Sequence, residues 1–325
     1  MLKRVLSVAT IIFFSVLSGW NSFAPDPAEA DVIPRLHGEN QRRPRRREIH
    51  AAVQRVPAEY QNDVRTALKK AGANARELIA ALDAVGPEER EGMAFLIAHM
   101  PGRDLVALDA EFLTTNVRLA YQAMREVPWA KDVPKKIFLN NILPYASLNE
   151  RRDSWRRDFY DRFLKVAQDS RTIERAVKHL NTHAFETLQV AYHAMKRPKP
   201  DQSPYESMAA HSASCTGLSI VLTDVLRSVG IPARVAGTPM WADQSGNHTW
   251  VEIWDGTWHH IGAAEPTELD HAWFREKAAQ TDSHHPIYVA SFEPTGLSFP
   301  LRWAPQLKFV PAVDVTKNYR KLRKE

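Results

Sequence analysis

The sequence predicts an α+β protein in which a cysteine-bearing helix packs on a small antiparallel sheet, preceded by a helical region. Three observations predict it. Over residues 57–127 the apolar side chains recur at helical spacing. Over 215–229, Leu218, Val221, Leu222, Val225 and Leu226 keep that spacing until Gly230-Ile231-Pro232 stops it, so Cys215 opens a helix. Beyond it, 231–237, 248–254 and 258–264 are short aromatic or β-branched segments separated by Gly246-Asn247 and Asp255-Gly256, as in antiparallel strands joined by turns.

Taken in chain order, the first element is a leader. Lys3 and Arg4 precede an apolar run at 5–17 that is too short for a comfortable membrane span. Ala28-Glu29-Ala30 has the small-residue spacing of a signal-peptidase site, with Ser22-Phe23-Ala24 as an alternative. This predicts a signal peptide at 1–30 and an exported chain beginning near Asp31; the competing expectation is an uncleaved anchor. Residues 31–56 read as a basic Pro/Arg-rich linker carrying Arg42, Arg43, Arg45, Arg46 and Arg47. The helical region is expected at 57–200, broken at Gly72, Gly86-Pro87 and Pro101-Gly102, with further amphipathic helices near 153–167 and 172–188. A catalytic domain is expected at 201–300. Residues 301–325, ending in Arg320, Lys321, Arg323 and Lys324, read as a basic tail.

The charge balance is +5 with a pI of about 9.2, and the excess sits in those two stretches. Basic tails can touch anionic lipid or wall polymer. No aromatic residues interleave with the arginines to stack bases, which argues against nucleic acid.

Cys215 is the one cysteine in the chain, so it cannot pair within it and stands as a free thiol in a compartment where thiols are at risk. One reading is a small buried apolar residue. The other is a nucleophile. At a helix start the unpaired N–H groups and the dipole favour thiolate. A thiolate enzyme then needs an imidazole, and a carboxylate or amide to orient it. His248 opens the strand after Gly246-Asn247.

Four segments in order, Ser214-Cys215-Thr216-Gly217, LRSVGIPARVAG at 226–237, Gly246-Asn247-His248-Thr249-Trp250-Val251-Glu252, and Asp255-Gly256-Thr257-Trp258, resemble the core of transglutaminase-like proteins. The resemblance covers about 205–274. It implies a papain-like fold with Cys215 as nucleophile and His248 as catalytic histidine. The family pattern also places an aspartate shortly after the tryptophan of the last strand, followed by proline and often threonine; directly after Ile261 this chain has Gly262. Glu265-Pro266-Thr267 reproduces the ending that follows, so an insertion of about three residues would carry Glu265 into the third role, with Glu252 and Glu268 as the other nearby carboxylates.

The expected chemistry is attack by Cys215 on a carboxamide or peptide carbonyl through a thioester acyl-enzyme, with a protein or wall peptide as substrate and no cofactor. Hydrolysis is favoured over transfer, because transfer demands exclusion of water and no feature guarantees it. The rival is a non-catalytic binding or envelope-assembly module on the same fold. The Cys215 N–H is the expected oxyanion donor, with Gln202 and Tyr205 considered for the second. His259, His260, His271, His284 and His285 match no strong metal pattern, and adjacent strand histidines face opposite ways. Trp241, Trp250, Trp254, Trp258 and Trp273 are expected mostly in the core.

Overall fold

The structure is a computed structural model that describes residues 42–324. The signal segment expected at 1–30, and the first part of the expected linker, lie outside the described residues. The helical half runs α1 (Arg46–Gln54), α2 (Gln61–Lys70), α3 (Ala75–Ala84), α4 (Arg90–His99), α5 (Gly102–Leu105), α6 (Ala110–Glu126) and α7 (Lys135–Asn141). Next come α8 (Trp155–Gln168), α9 (Ile173–Leu188), the short strand β1 (Ala191–Tyr192), α10 (Pro204–Ala210) and β2 (Ser212–Ala213). The remaining elements are α11 (Cys215–Ser228), β3 (Ala233–Thr238), β4 (His248–Trp254), β5 (Trp258–Ile261), α12 (Arg275–Ala279), β6 (Tyr288–Ala290), β7 (Ala312–Asp314) and α13 (Thr316–Lys321).

β1 and β2 form a small parallel pair whose second strand leads straight into Cys215. The main sheet has the order β5-β4-β3-β6-β7 and is antiparallel throughout. Its register pairs Thr238 with His248, and Val251 with Ile261. This is an α+β fold with the cysteine helix on a small sheet.

The helices α1 to α6 bury Leu78, Leu82, Met93, Leu96 and Val117 among themselves. A second core surrounds α11. Phe159, Phe163, Val177 and Leu180 of α8 and α9 meet Leu218, Val221 and Leu222 on one flank, while Val251, Ile253 and Ile261 of the sheet meet the other. Every α11 residue after Cys215 is buried, so the helix is held from all sides and its first turn is fixed in place. Sequence reading assigned α8 and α9 to the helical half, but their apolar stripes are spent on the cysteine helix.

Buried charge ties the two halves together. Arg156 of α8 donates to Asn116 Oδ1, to the carbonyls of Ile142, Leu143 and Pro144, and to that of Arg227 at the end of α11. Arg227 in turn donates to the carbonyls of Asn141, Ala146 and Ala233. Burial lowers Arg156 to about 9 and Arg227 to about 10. Beside them, burial lifts the Asp224 carboxyl well above its ordinary range.

Two expectations are corrected. The stretch read as a linker contains α1, because Ile49, Ala52, Val53 and Val56 fall at helical spacing among the arginines and pack into the first core. The stretch read as a tail at 301–325 supplies β7 and α13. Leu301, Val310, Ala312, Val315 and Tyr319 are buried in it, while Arg320, Lys321 and Arg323 face outward. Terminal charge masked that apolar pattern.

Candidate active site

Cys215 is the first residue of α11, as the sequence predicts, after Ser214 in extended conformation. The Ser214 hydroxyl donates to the Pro200 carbonyl at 2.9 Å, and Ser219 Oγ donates to the Cys215 carbonyl at 2.7 Å. The N–H groups of the first helical turn have no carbonyl partner within the helix. Gly217 lets that turn pack closely: a Cβ there would lie 2.8 Å from Ala213 Cβ. Cys215 is partly exposed and its thiol is free.

His248 opens β4. The link between the two is one residue along each element. Thr216 Oγ1 and Thr249 Oγ1 are 3.0 Å apart in a buried hydrogen bond, which clasps the cysteine helix to the histidine strand. The His248 ring lies among Trp241, Trp250, Trp273 and Phe274, at centroid distances of 6.0, 5.9, 4.9 and 5.0 Å. Burial lowers its pKa to about 4, because the charged imidazolium is disfavoured there, so the imidazole is neutral at neutral pH. Its Nε2 is buried with no hydrogen-bond partner.

His248 and Gly262 share a face of the sheet, since Val251 pairs with Ile261 and successive residues alternate. Gly262 follows the last residue of β5, and what fills its side-chain position is Glu265. A Cβ at Gly262 would lie 2.0 Å from Glu265 Oε2, 2.2 Å from Cδ and 2.6 Å from Oε1. The intervening residues fold into a turn with Ala264 at φ +63°. Asn181 of α9 holds that turn, donating to the carbonyls of Gly262 (2.9 Å) and Glu265 (2.7 Å) and accepting from Ala264 N (2.9 Å). Glu265 Oε1 accepts a bond from Trp273 Nε1 at 2.9 Å, and Oε2 is buried without a partner. Burial raises the Glu265 pKa, and the Trp273 bond opposes that rise.

The other carboxylates are committed elsewhere. Glu252 accepts from Tyr319 Oη at 2.7 Å and from Arg234 Nε at 2.8 Å; Glu268 pairs with Lys178. The two donors considered upstream are also occupied. Gln202 Nε2 donates to the carbonyls of Ser212 (3.0 Å) and Glu206 (3.3 Å), and those two acceptors fix its amide orientation. Tyr205 Oη donates to the Ser154 carbonyl.

His260 is buried and His259 partly exposed, yet both reach one carboxylate, at 2.9 Å and 2.6 Å from Asp270. Against burial, the bonds from the two histidines hold Asp270 well below the usual carboxylate range. Among the described residues no group of three or more His, Cys, Asp or Glu side chains is arranged to hold a metal ion. Trp241 and Trp250 are core, stacked at 5.8 Å, but Trp273 is 55% exposed, which corrects its assignment to the core. Asn181 and Trp273 carry no motif, and nothing in the sequence marks them as neighbours of Glu265.

No curated protein matches the chain. A solved structure titled "The Crystal Structure of a Putative Cysteine Protease from Cytophaga hutchinsonii" aligns with a TM-score of 0.33 and 14% identity, over 58% of this chain and 66% of that one. The Transglutaminase-like superfamily matches residues 162–263, from within α8 to just past Gly262, taking in Cys215 and His248 and stopping short of Glu265. Residues 162–263 are therefore a transglutaminase-like domain.

Proposed function

We propose that this protein is a cysteine enzyme that cleaves or transfers amide or peptide acyl groups. The observation that carries the proposal is the Thr216–Thr249 bond, which sets a free thiol at a buried helix start beside the strand that begins with a neutral histidine. In the proposed cycle His248 takes the Cys215 proton and the sulfur adds to the carbonyl carbon. The resulting oxyanion is met by the Cys215 N–H at the helix start. Collapse breaks the C–N bond, and His248 returns its proton to the departing amine, leaving a thioester. Water then adds as His248 takes its proton, and collapse breaks the C–S bond while His248 passes that proton to the departing sulfur, releasing a carboxylic acid and restoring the thiol. An amine in place of the water gives transfer. Hydrolysis is favoured, since the partly exposed Cys215 is open to water. Glu265 serves as the group that orients His248, from the place a side chain at position 262 would fill.

The proposed setting is outside the cytoplasm, with proteins or wall peptides as substrates and the arginines at 42–47 as the contact to anionic envelope material. No helix among the described residues is long and apolar enough to cross a membrane. The test is labelling of the native protein by a peptide vinyl sulfone. A catalytic site modifies Cys215, with Cys215→Ala abolishing the label and His248→Ala slowing it at least tenfold. No labelling of the folded protein would leave the non-catalytic binding module as the reading.

A further inference from the structure

Trp273 is a large apolar side chain left 55% exposed, and both of its polar and aromatic contacts run into the site. Its indole N–H donates to Glu265 Oε1 at 2.9 Å, and its ring lies 4.9 Å from the His248 ring at an angle of 57°. Its neighbours in sequence, Ala272 and Phe274, are buried, so the backbone is anchored on both sides and the indole is not a loose surface group. Phe274 itself packs edge to face on Trp273 at 5.8 Å and against His248 at 5.0 Å, which braces the indole from behind. A second tie comes from Lys178 of α9, which pairs with Glu268 and holds the segment between Glu265 and Trp273 to the same helix that supplies Asn181.

The two clamps on Glu265 do different things. Asn181 grips only main-chain atoms of the turn, so it fixes where the Glu265 backbone lies and leaves the side chain free to rotate. Trp273 grips the carboxylate itself. It gives Oε1 a donor and thereby leaves Oε2 as the oxygen without a partner. On the histidine, the half-exposed indole lies with its centroid 4.9 Å from the imidazole, nearer than Trp241, Trp250 or Phe274.

We propose that Trp273 is a positioning residue of this site, holding the Glu265 carboxylate over Gly262 through its indole N–H and closing the solvent side of His248 with its ring. This rests on the proposed pairing of Glu265 with His248. Trp273 touches neither thiol nor acyl group in this role and acts through the other two.

A double-mutant cycle tests it, with p-nitrophenyl acetate as acyl probe and Cys215→Ala as the blank. Trp273→Phe keeps a ring and removes the donor, whereas Trp273→Ala removes both. Trp273→Phe should lower kcat about tenfold with KM within twofold, and Trp273→Ala should lower it further. In a Glu265→Gln background, Trp273→Phe should cost less than twofold, because the carboxylate it served is gone. Melting temperatures of the single variants should stay close to that of the native protein, since the indole is exposed. If Trp273→Phe costs its full tenfold in both backgrounds, or nothing while Glu265→Gln is slow, the Trp273 proposal is overturned and the Glu265 reading stands. If Glu265→Gln is itself silent, the Glu265 reading falls and this proposal falls with it.

Discussion

Replacing Gly262 with alanine isolates the carboxylate from everything else at the site. The new Cβ would lie 2.0 Å from Glu265 Oε2, and ordinary contact begins at 3.4 Å, so the carboxylate must retreat by at least 3.4 − 2.0 = 1.4 Å. The Gly262 backbone is not in the left-handed region, so alanine adds no backbone strain there and the whole perturbation falls on the Glu265 side chain. A misplacement of about 1 Å at a catalytic group costs on the order of 100-fold, or about 2.7 kcal/mol in the barrier. Steady-state hydrolysis of p-nitrophenyl acetate should therefore fall about 100-fold, while the melting temperature moves by only a few degrees. The pair Gly262→Asp with Glu265→Ala restores a carboxylate from the other backbone position and should recover at least a tenth of the native rate. Turnover of Gly262→Ala within threefold of native, with Glu265→Gln slow, would show that the position of the carboxylate does not matter and would refute the reasoning. Silence of both variants would leave a two-residue site.

Three further outcomes follow from the same geometry. Asn181→Ala removes three hydrogen bonds from the turn at 262–265 and should lower stability by about 2–3 kcal/mol in chemical denaturation and kcat about tenfold, whereas an unchanged kcat would place the ordering of Glu265 elsewhere. Because His248 is lowered from 6.5 to about 4 by burial, the unfolded chain binds the extra proton between those values. Stability should therefore fall as pH drops from about 6.5 to about 4, by an amount on the order of 3 kcal/mol, and His248→Phe should flatten that part of the stability profile. Arg156→Met leaves the Asn116, Ile142, Leu143, Pro144 and Arg227 oxygens without their shared donor in a buried place and should cost about 3–5 kcal/mol, read as a large drop in melting temperature; a shift of less than a degree or two would show that these oxygens find other partners.

Much of the frame around the site was legible in the chain. A run of Leu218, Val221, Leu222, Val225 and Leu226 closed by Gly230 predicts a helix, and it begins at Cys215 as expected because capping and periodicity are local properties. The strands after it, and His248 at the head of one of them, were equally local. The helices α1 and α13 were missed for the opposite reason: their apolar residues are few and lie among arginines and lysines, so the charge dominates the composition while the few apolar side chains decide the packing.

The carboxylate shows where sequence stops. Gly262 in place of the family's aspartate, with Glu265-Pro266-Thr267 following, named Glu265 as a candidate, but whether a longer side chain on a shifted backbone comes back to the vacated position depends on how the turn folds. That was decided by Asn181, distant in sequence on α9, which bonds to the turn only because α9 packs beside α11. Trp273 reaches Glu265 and His248 only once the chain after β5 has folded back over the sheet. Sequence by itself determined the helix that begins at Cys215, the strand that begins at His248 and the short list of nearby acids, because these follow from periods of two and 3.6 residues and from family spacing. Only the tertiary structure decided which acid fills the space over Gly262 and what holds it there, because hydrogen bonds between distant segments form when packing brings them within about 3 Å, and no local pattern encodes that distance.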